Sequence, residues 1–281
     1  TRIALQRACS LLADHPAHPM RGLVLHGLGF LLTVRGEFAD ALATADRAEA
    51  LASRTGDPFL PLAAYTVRGH VYMHQGRPDA ARDALERALP AIEEAEAAFE
   101  RRFIADPCVT LLAMLSLPLT HLGLVTQARE RLQQAYAQAR RLGQPMALMV
   151  TLWYDALLQV RLGDVDRVAM IADEMRALVD EYALAQGKAA CRWFRGWADA
   201  RKGQALEGFR QIRDAYDENT ALGMMAGASE SLGYAAEALL LHGDWHAAQE
   251  QLDQALAIVE KYGERIYLPQ LLLIEGAIAH A

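Results

Sequence analysis

The stretch Gly196-Trp197-Ala198-Asp199-Ala200-Arg201-Lys202-Gly203-Gln204-Ala205-Leu206-Glu207-Gly208 decides the fold. Small and apolar residues at helical spacing run up to Gly203, and a second helical pattern starts directly after it. Gly ends a helix at low cost because it accepts the left-handed backbone. Forty residues earlier stands Ala156-Leu157-Leu158-Gln159-Val160-Arg161-Leu162-Gly163-Asp164, and forty later Ala236-Glu237-Ala238-Leu239-Leu240-Leu241-His242-Gly243-Asp244. Outward from there, turn glycines fall at Gly36, Gly76, Gly123, Gly163, Gly203 and Gly243, with spacings of 40, 47, 40, 40 and 40. A second set of turn signals lies about half a period later: Thr55-Gly56-Asp57-Pro58, Leu142-Gly143-Gln144-Pro145, Gln186-Gly187, Leu222-Gly223 and Tyr262-Gly263. Pro suits the first turn of the helix that follows. The unit is helix–turn–helix–turn, with helices of about 16 residues, or roughly 24 Å.

Side-chain size keeps the same phase. Seven residues before each turn Gly sit Gly29, Gly69, Ser116, Ala156, Gly196 and Ala236, all small. Five after it sit Ala41, Ala81, Ala128, Val168, Gly208 and Ala248, and twelve after it Ala48, Ala88, Ala135, Met175, Ala215 and Ala255. Nine after it, Ala45, Leu85, Leu132, Ala172, Ile212 and Leu252 form an apolar stripe. Small residues at fixed positions let paired helices approach closely.

The length of 281 residues would by itself suggest two globular domains of about 150 residues. The repeat replaces that with one helical-repeat domain over 1–281. Its expected units are a partial repeat at 1–19, repeats at 20–57, 58–105, 106–144, 145–187, 188–223 and 224–264, and a partial repeat at 265–281. The spacing of 47 places extra residues around Glu93–Ile104, after Pro90, where a kinked or extended second helix is expected. The hydrophobic fraction of 53% is largely Ala and Leu, both strong helix formers.

Charge and cysteines exclude several classes. A net charge of −7, a pI near 5.7 and no dense Lys/Arg stripe argue against direct nucleic-acid binding. Cys9, Cys108 and Cys191 form no metal pair and no disulfide framework, so a reduced, cytoplasmic setting is expected. Pro107 to Ala128 lacks Asp, Glu, Lys and Arg, which is membrane-like, but its Thr, Ser, His and Gln residues and the turn at Gly123 read as a buried helix plus a turn.

A small residue midway along the first helix, followed by Ala twice in the second, resembles the tetratricopeptide repeat. Two departures stand out. The period is 40 rather than 34, and few units carry the Trp and Tyr expected in the first helix, the second unit with Tyr65 and Tyr72 being one that does. HEAT and armadillo repeats, with periods of about 40 to 47, are the alternative. The resemblance implies an all-α, tetratricopeptide-like, right-handed α-solenoid of antiparallel helix pairs, with about 13 helices. Asp106-Pro107-Cys108-Val109, Leu142-Gly143-Gln144-Pro145, Arg195-Gly196-Trp197-Ala198, Tyr262-Gly263-Glu264-Arg265 and Glu275-Gly276 also resemble the C-terminal regions of large bacterial signalling ATPases. In those proteins the repeats follow a nucleotide-binding module and a cyclase, kinase or winged-helix domain. That implies a regulatory domain of a longer chain.

Catalytic motifs are missing. There is no G-x-x-x-x-G-K-S/T phosphate loop, no G-x-G-x-x-G, no G-x-S-x-G and no H-E-x-x-H. No enzymatic activity, cofactor or metal is expected. His70 and His74 share one helix face, with His121 as the nearest third group by phase, but polar groove or surface histidines are the simpler reading. In tetratricopeptide arrays the first helices line the concave face. Phase then selects Trp153 and Trp193, which are 40 residues apart, with Trp197, Arg161 and Arg201, as one groove patch. Burial between helices is the competing reading for the tryptophans. The same rule adds His70, His74 and His121 towards the N-terminal half, and Glu230 and Glu237 at the C-terminal end. Arg beside Trp suits anionic or aromatic ligands.

The expected function is a non-catalytic interaction domain of a larger bacterial signalling or transcription-regulating ATPase. It would bind a peptide or protein on its concave face, or contact attached domains of its parent chain. A small-molecule effector held by the Trp/Arg patch is the alternative. Association of two copies through the half-complete ends is a further expectation.

Overall fold

The computed structural model describes residues 2–15, 18, 20–57, 59–96 and 106–280. Among them are fourteen α-helices and no strand. α1 (Arg2–Leu11) is followed by the pairs α2 (Arg21–Val34) and α3 (Phe38–Thr55), α4 (Phe59–His74) and α5 (Pro78–Glu96), and α6 (Pro107–His121) and α7 (Val125–Leu142). Then come α8 (Pro145–Leu162) and α9 (Val165–Tyr182), α10 (Lys188–Arg201) and α11 (Ala205–Ala221), α12 (Ala228–His242) and α13 (Trp245–Tyr262), and finally α14 (Leu268–Ala279). The chain is an all-α, tetratricopeptide-like solenoid.

The turns follow from glycine. Gly36, Gly76, Gly123, Gly163, Gly203 and Gly243, one in each even-to-odd helix turn, have φ between +72° and +90°. Residues with a Cβ rarely adopt that backbone. One expected turn is built differently. Gly187 has φ −82° and only precedes α10, whereas Ala183, at φ +52°, takes the left-handed position that ends α9. The residues between them, Ala185–Gly187, form a short 3-10 turn. The extra residues around Glu93–Ile104 lie mostly outside the described residues. α5 itself continues through Pro90 to Glu96.

Close packing explains the small-residue phase. A Cβ on Gly196 would come within 2.7 Å of the Gly208 carbonyl oxygen on the paired helix α11. A Cβ on Gly29 would meet Val67 of α4 at 2.7 Å. Ser116, Ala156, Ala236 and the Ala and Val residues five after each turn are buried. α4, α6, α8, α10 and α12 are buried on most of their surface, whereas α14 leaves Leu272 and Leu273 exposed. Odd-numbered helices keep one polar face. The uncharged stretch from Pro107 behaves accordingly. Asp106 caps α6 by accepting from the Val109 N–H at 3.0 Å, Pro107 starts the helix, and the chain turns at Gly123. Among the described residues no helix is long and apolar enough to cross a membrane.

The array closes on itself. The Val34 carbonyl at the end of α2 accepts from the Met225 and Ala226 N–H groups, at 2.7 and 3.0 Å. The His74 carbonyl at the end of α4 accepts from the Arg265 and Ile266 N–H groups, at 2.8 and 3.3 Å. Val34 and Met225 are 191 residues apart, and so are His74 and Arg265. The same step recurring from one repeat to the next is the mark of a screw axis. One superhelical turn takes a little under five repeats, and the second turn rests on the first.

Candidate partner-binding face

The C-terminal ends of α2 and α4 are met by loops of the second turn, and those of α8 and α10 by α12. Arg161, at the end of α8, is ion-paired with Glu230 and donates to the Tyr234 hydroxyl at 2.7 Å; both partners lie on α12. Its guanidinium lies 4.9 Å from the centre of the Tyr267 ring. Arg201, the equivalent residue one repeat on, pairs with Glu237 at 2.6 Å and lies 4.0 Å from the Trp197 ring centre. Glu230 and Glu237 are seven residues apart, hence on one face of α12. Two arginines from neighbouring repeats therefore meet two glutamates on one helix.

Further towards the N-terminal side, His74 Nδ1 lies 2.9 Å from Glu264 Oε1. That carboxylate is 1% exposed and also accepts from the Gly227 N–H at 2.6 Å, the Ser229 N–H at 3.2 Å and the Ser229 hydroxyl at 2.6 Å. Burial alone would raise its pKa, but these hydrogen bonds and the His74 charge outweigh it, and the net shift is downward. For Glu230 burial dominates and pushes the carboxyl up, with Arg161 opposing. Burial raises the Tyr267 hydroxyl well above its usual range. His121 is lowered to about 4, first by burial and then by the Arg161 charge. Burial, with the charges of His74 and His26, lowers His70 to about 3. His121, Arg161, Glu230, Tyr234, Ile266 and Tyr267 border a cavity of about 200 Å³.

The expected groove residues divide into three groups. Arg161, Arg201, His74 and His121 come together on the inner face, with Glu230 and Glu237. His70 stacks on Phe30, with ring centres 5.5 Å apart, and tilts towards His74 at 5.0 Å. The tryptophans do not form one exposed patch. Trp153 is 38% exposed, but Trp193 is 8% and Trp197 1% exposed. α12, the next even-numbered helix, packs over Trp193 and Trp197. Trp193 donates to the Ser231 hydroxyl at 3.0 Å, and both rings meet the Tyr234 ring edge-on, at 5.5 and 6.3 Å. Among the described residues no cluster of three or more His, Cys, Asp or Glu side chains is placed to hold a metal ion.

Tyr234, Glu264 and Tyr267 are inner-face residues that sequence reasoning did not select. Periodicity finds what recurs at 40 residues, whereas Glu264 reaches His74 190 residues away and Tyr234 and Tyr267 reach Arg161 across two or more repeats. Five buried side-chain polar atoms of the described residues have no hydrogen-bond partner. Three belong to this face: His70 Nδ1, Trp197 Nε1 and Glu237 Oε2.

Residues 21–101 match the tetratricopeptide repeat family. The chain carries a tetratricopeptide-like repeat region. Solved structures extend the likeness in fold over nearly its whole length. NprR in complex with its cognate peptide NprX aligns with a TM-score of 0.62 at 14% identity, covering 96% of this chain and 74% of that one. A Rap protein complexed with competence and sporulation factor aligns with a TM-score of 0.60 at 12% identity, covering 99% and 86%. A tetratricopeptide repeat protein from Parabacteroides merdae aligns at 0.53 and 14% identity, covering 98% and 91%. Comparison with curated protein sequences gives no match.

Proposed function

We propose that this chain is a non-catalytic, tetratricopeptide-like regulatory domain that binds a peptide or protein partner on the inner face of its superhelix. The observation that carries this reading is the superhelical fold itself, whose inner side gathers Arg161, Arg201, His74 and His121 with Glu230, Glu237 and Glu264. A solenoid with an extended concave surface suits such a partner. NprR and the Rap protein, similar in fold, carry a peptide and a signalling factor in their solved complexes. The ATPase-like segments from Asp106 to Gly276 support a place within a larger bacterial signalling or transcription-regulating protein.

A small-molecule effector is the second reading, favoured by the cavity beside Arg161. At about 200 Å³ it is smaller than the roughly 300–1,000 Å³ of most small-molecule sites, which favours the peptide or protein.

Selection from a displayed random-peptide library tests the main reading. Enriched peptides should bind the wild type and lose at least tenfold in affinity to Arg201→Ala. Peptides that bind only the outward faces of odd-numbered helices would overturn it. The ATPase context is tested by the complete reading frame, which should encode a phosphate loop upstream of Thr1. A frame without one would remove that context.

A further inference from the structure

The loop between α13 and α14 sits on the inner face in the manner of a bound peptide. The Arg265 and Ile266 N–H groups donate to one carbonyl, that of His74, 191 residues away. Glu264 sends a carboxylate to the His74 ring, and Tyr267 lays its ring against Arg161. Ile266, between them, packs against the cluster that contains Met73, Leu157 and Trp197. Main-chain bonds, one acid, one apolar side chain and one aromatic ring over a guanidinium are the kinds of contact by which peptides are held. The loop does not fill its seat, because the cavity beside Arg161 and His121 is bounded by Ile266 and Tyr267 themselves.

The fit is also close. A Cβ on Gly76 would come within 3.3 Å of the Arg265 backbone and side chain, and one on Gly36 would meet the Tyr262 ring at 2.7 Å. The first turn therefore keeps glycine where the second turn lands.

We propose that residues 264–267 are an internal ligand of the inner face, and that the partner binds by replacing them. This rests on the reading that the inner face is the binding surface, and it names the partner's chemistry: a turn-forming segment with a carboxylate and, three residues on, an aromatic ring. A carboxylate suits the His74 ring, the Gly227 and Ser229 N–H groups and the Ser229 hydroxyl. A site blocked by its own loop binds an outside ligand more weakly by the fraction of molecules in which the loop is away.

The probe is a fluorescently labelled nonapeptide with the sequence of residues 262–270, Tyr-Gly-Glu-Arg-Ile-Tyr-Leu-Pro-Gln. It is titrated into the wild type and into Tyr267→Ala, which vacates the Arg161 seat and leaves Glu264 bonded to α12. The variant should bind about tenfold tighter than the wild type, and a peptide with its Glu and second Tyr replaced by Gln and Ala should not bind. Equal binding to both proteins, or none to either, overturns the proposal. If Tyr267→Ala does not fold, amide exchange in the wild type replaces it. Excess nonapeptide should speed exchange at Arg265 and Ile266, and unchanged rates overturn the proposal. Library-selected peptides that bind the inner face while the nonapeptide fails would remove the internal ligand alone. Failure of both would remove the binding reading as well.

Discussion

At the scale of single residues, burial separates side chains that the repeat phase treats alike. Trp153 and Trp193 hold the same position in neighbouring repeats, yet one is exposed and the other covered by α12. Trp193→Ala should lower unfolding free energy by roughly 3–5 kcal/mol, as core truncations do, and Trp153→Ala by under about 1 kcal/mol. Urea denaturation of both variants checks this, and equal losses would contradict it. Ala183 carries a left-handed backbone that glycine holds without strain. Ala183→Gly should raise stability by up to about 1 kcal/mol, seen as a higher melting temperature; a lower one would show that the strain is not there. The histidines set an acid limit. Burial holds His26 and His121 at about 4 and His70 at about 3 in the fold, against about 6.5 when exposed. Between pH 6.5 and 4 the unfolded chain takes up protons that the folded chain refuses, so stability falls as pH falls through that window. Each histidine contributes up to about 1.4 kcal/mol per pH unit. Urea midpoints from pH 7 to 4.5 should decline, and His70→Asn should flatten the slope. A slope unchanged by that variant would contradict the assignment to His70.

At the scale of helices, most of the architecture was legible. Gly203 and its equivalents had to turn the chain, and the run from Gly196 to Gly208 had to bring two helices together, because a side chain at either end meets backbone. Gly196→Val should therefore separate α10 from α11 and cost several kcal/mol, while Gly276→Val, with nothing near its Cβ, should cost no more than propensity dictates, a few tenths in either direction. Thermal melts of the pair read that difference. The turn after α9 was less legible. Gly187 looked like the helix stop, but the stop is Ala183, four residues earlier, and the 3-10 turn takes up the difference. A glycine in the right register need not be the residue that turns the chain when a neighbour can be forced to.

At the scale of the whole molecule, the sequence carried the repeat but not the pitch. A 40-residue period specifies which faces are small and which apolar. It says nothing of how many repeats complete a turn, because that follows from small rotations accumulated over many interfaces. The candidate site shows the same divide. Phase selected Arg161, Arg201, His74 and His121, and also Glu230 and Glu237. The His74–Glu264 contact depends on the second turn landing on the first, whereas the Arg161–Glu230 and Arg201–Glu237 pairs depend on how α12 packs against α8 and α10. The closure places charges where solvent does not reach, so its ion pairs specify register more than they add stability. Glu230→Ala leaves Arg161 buried without its counter-charge and should cost about 3–5 kcal/mol, whereas Glu250→Ala, on the exposed face of α13, should cost almost nothing.

Amide hydrogen exchange at Met225 and Arg265 tests the closed superhelix most directly. Both lie in loops, where an amide exchanges quickly unless something holds it. The closed superhelix predicts strong protection at these two positions, lost together in Glu264→Ala, which removes the carboxylate tying His74 to Gly227 and Ser229, while the helix amides of α10 stay protected. Exchange at Met225 and Arg265 as fast as in an unstructured peptide, in the wild type, would contradict it.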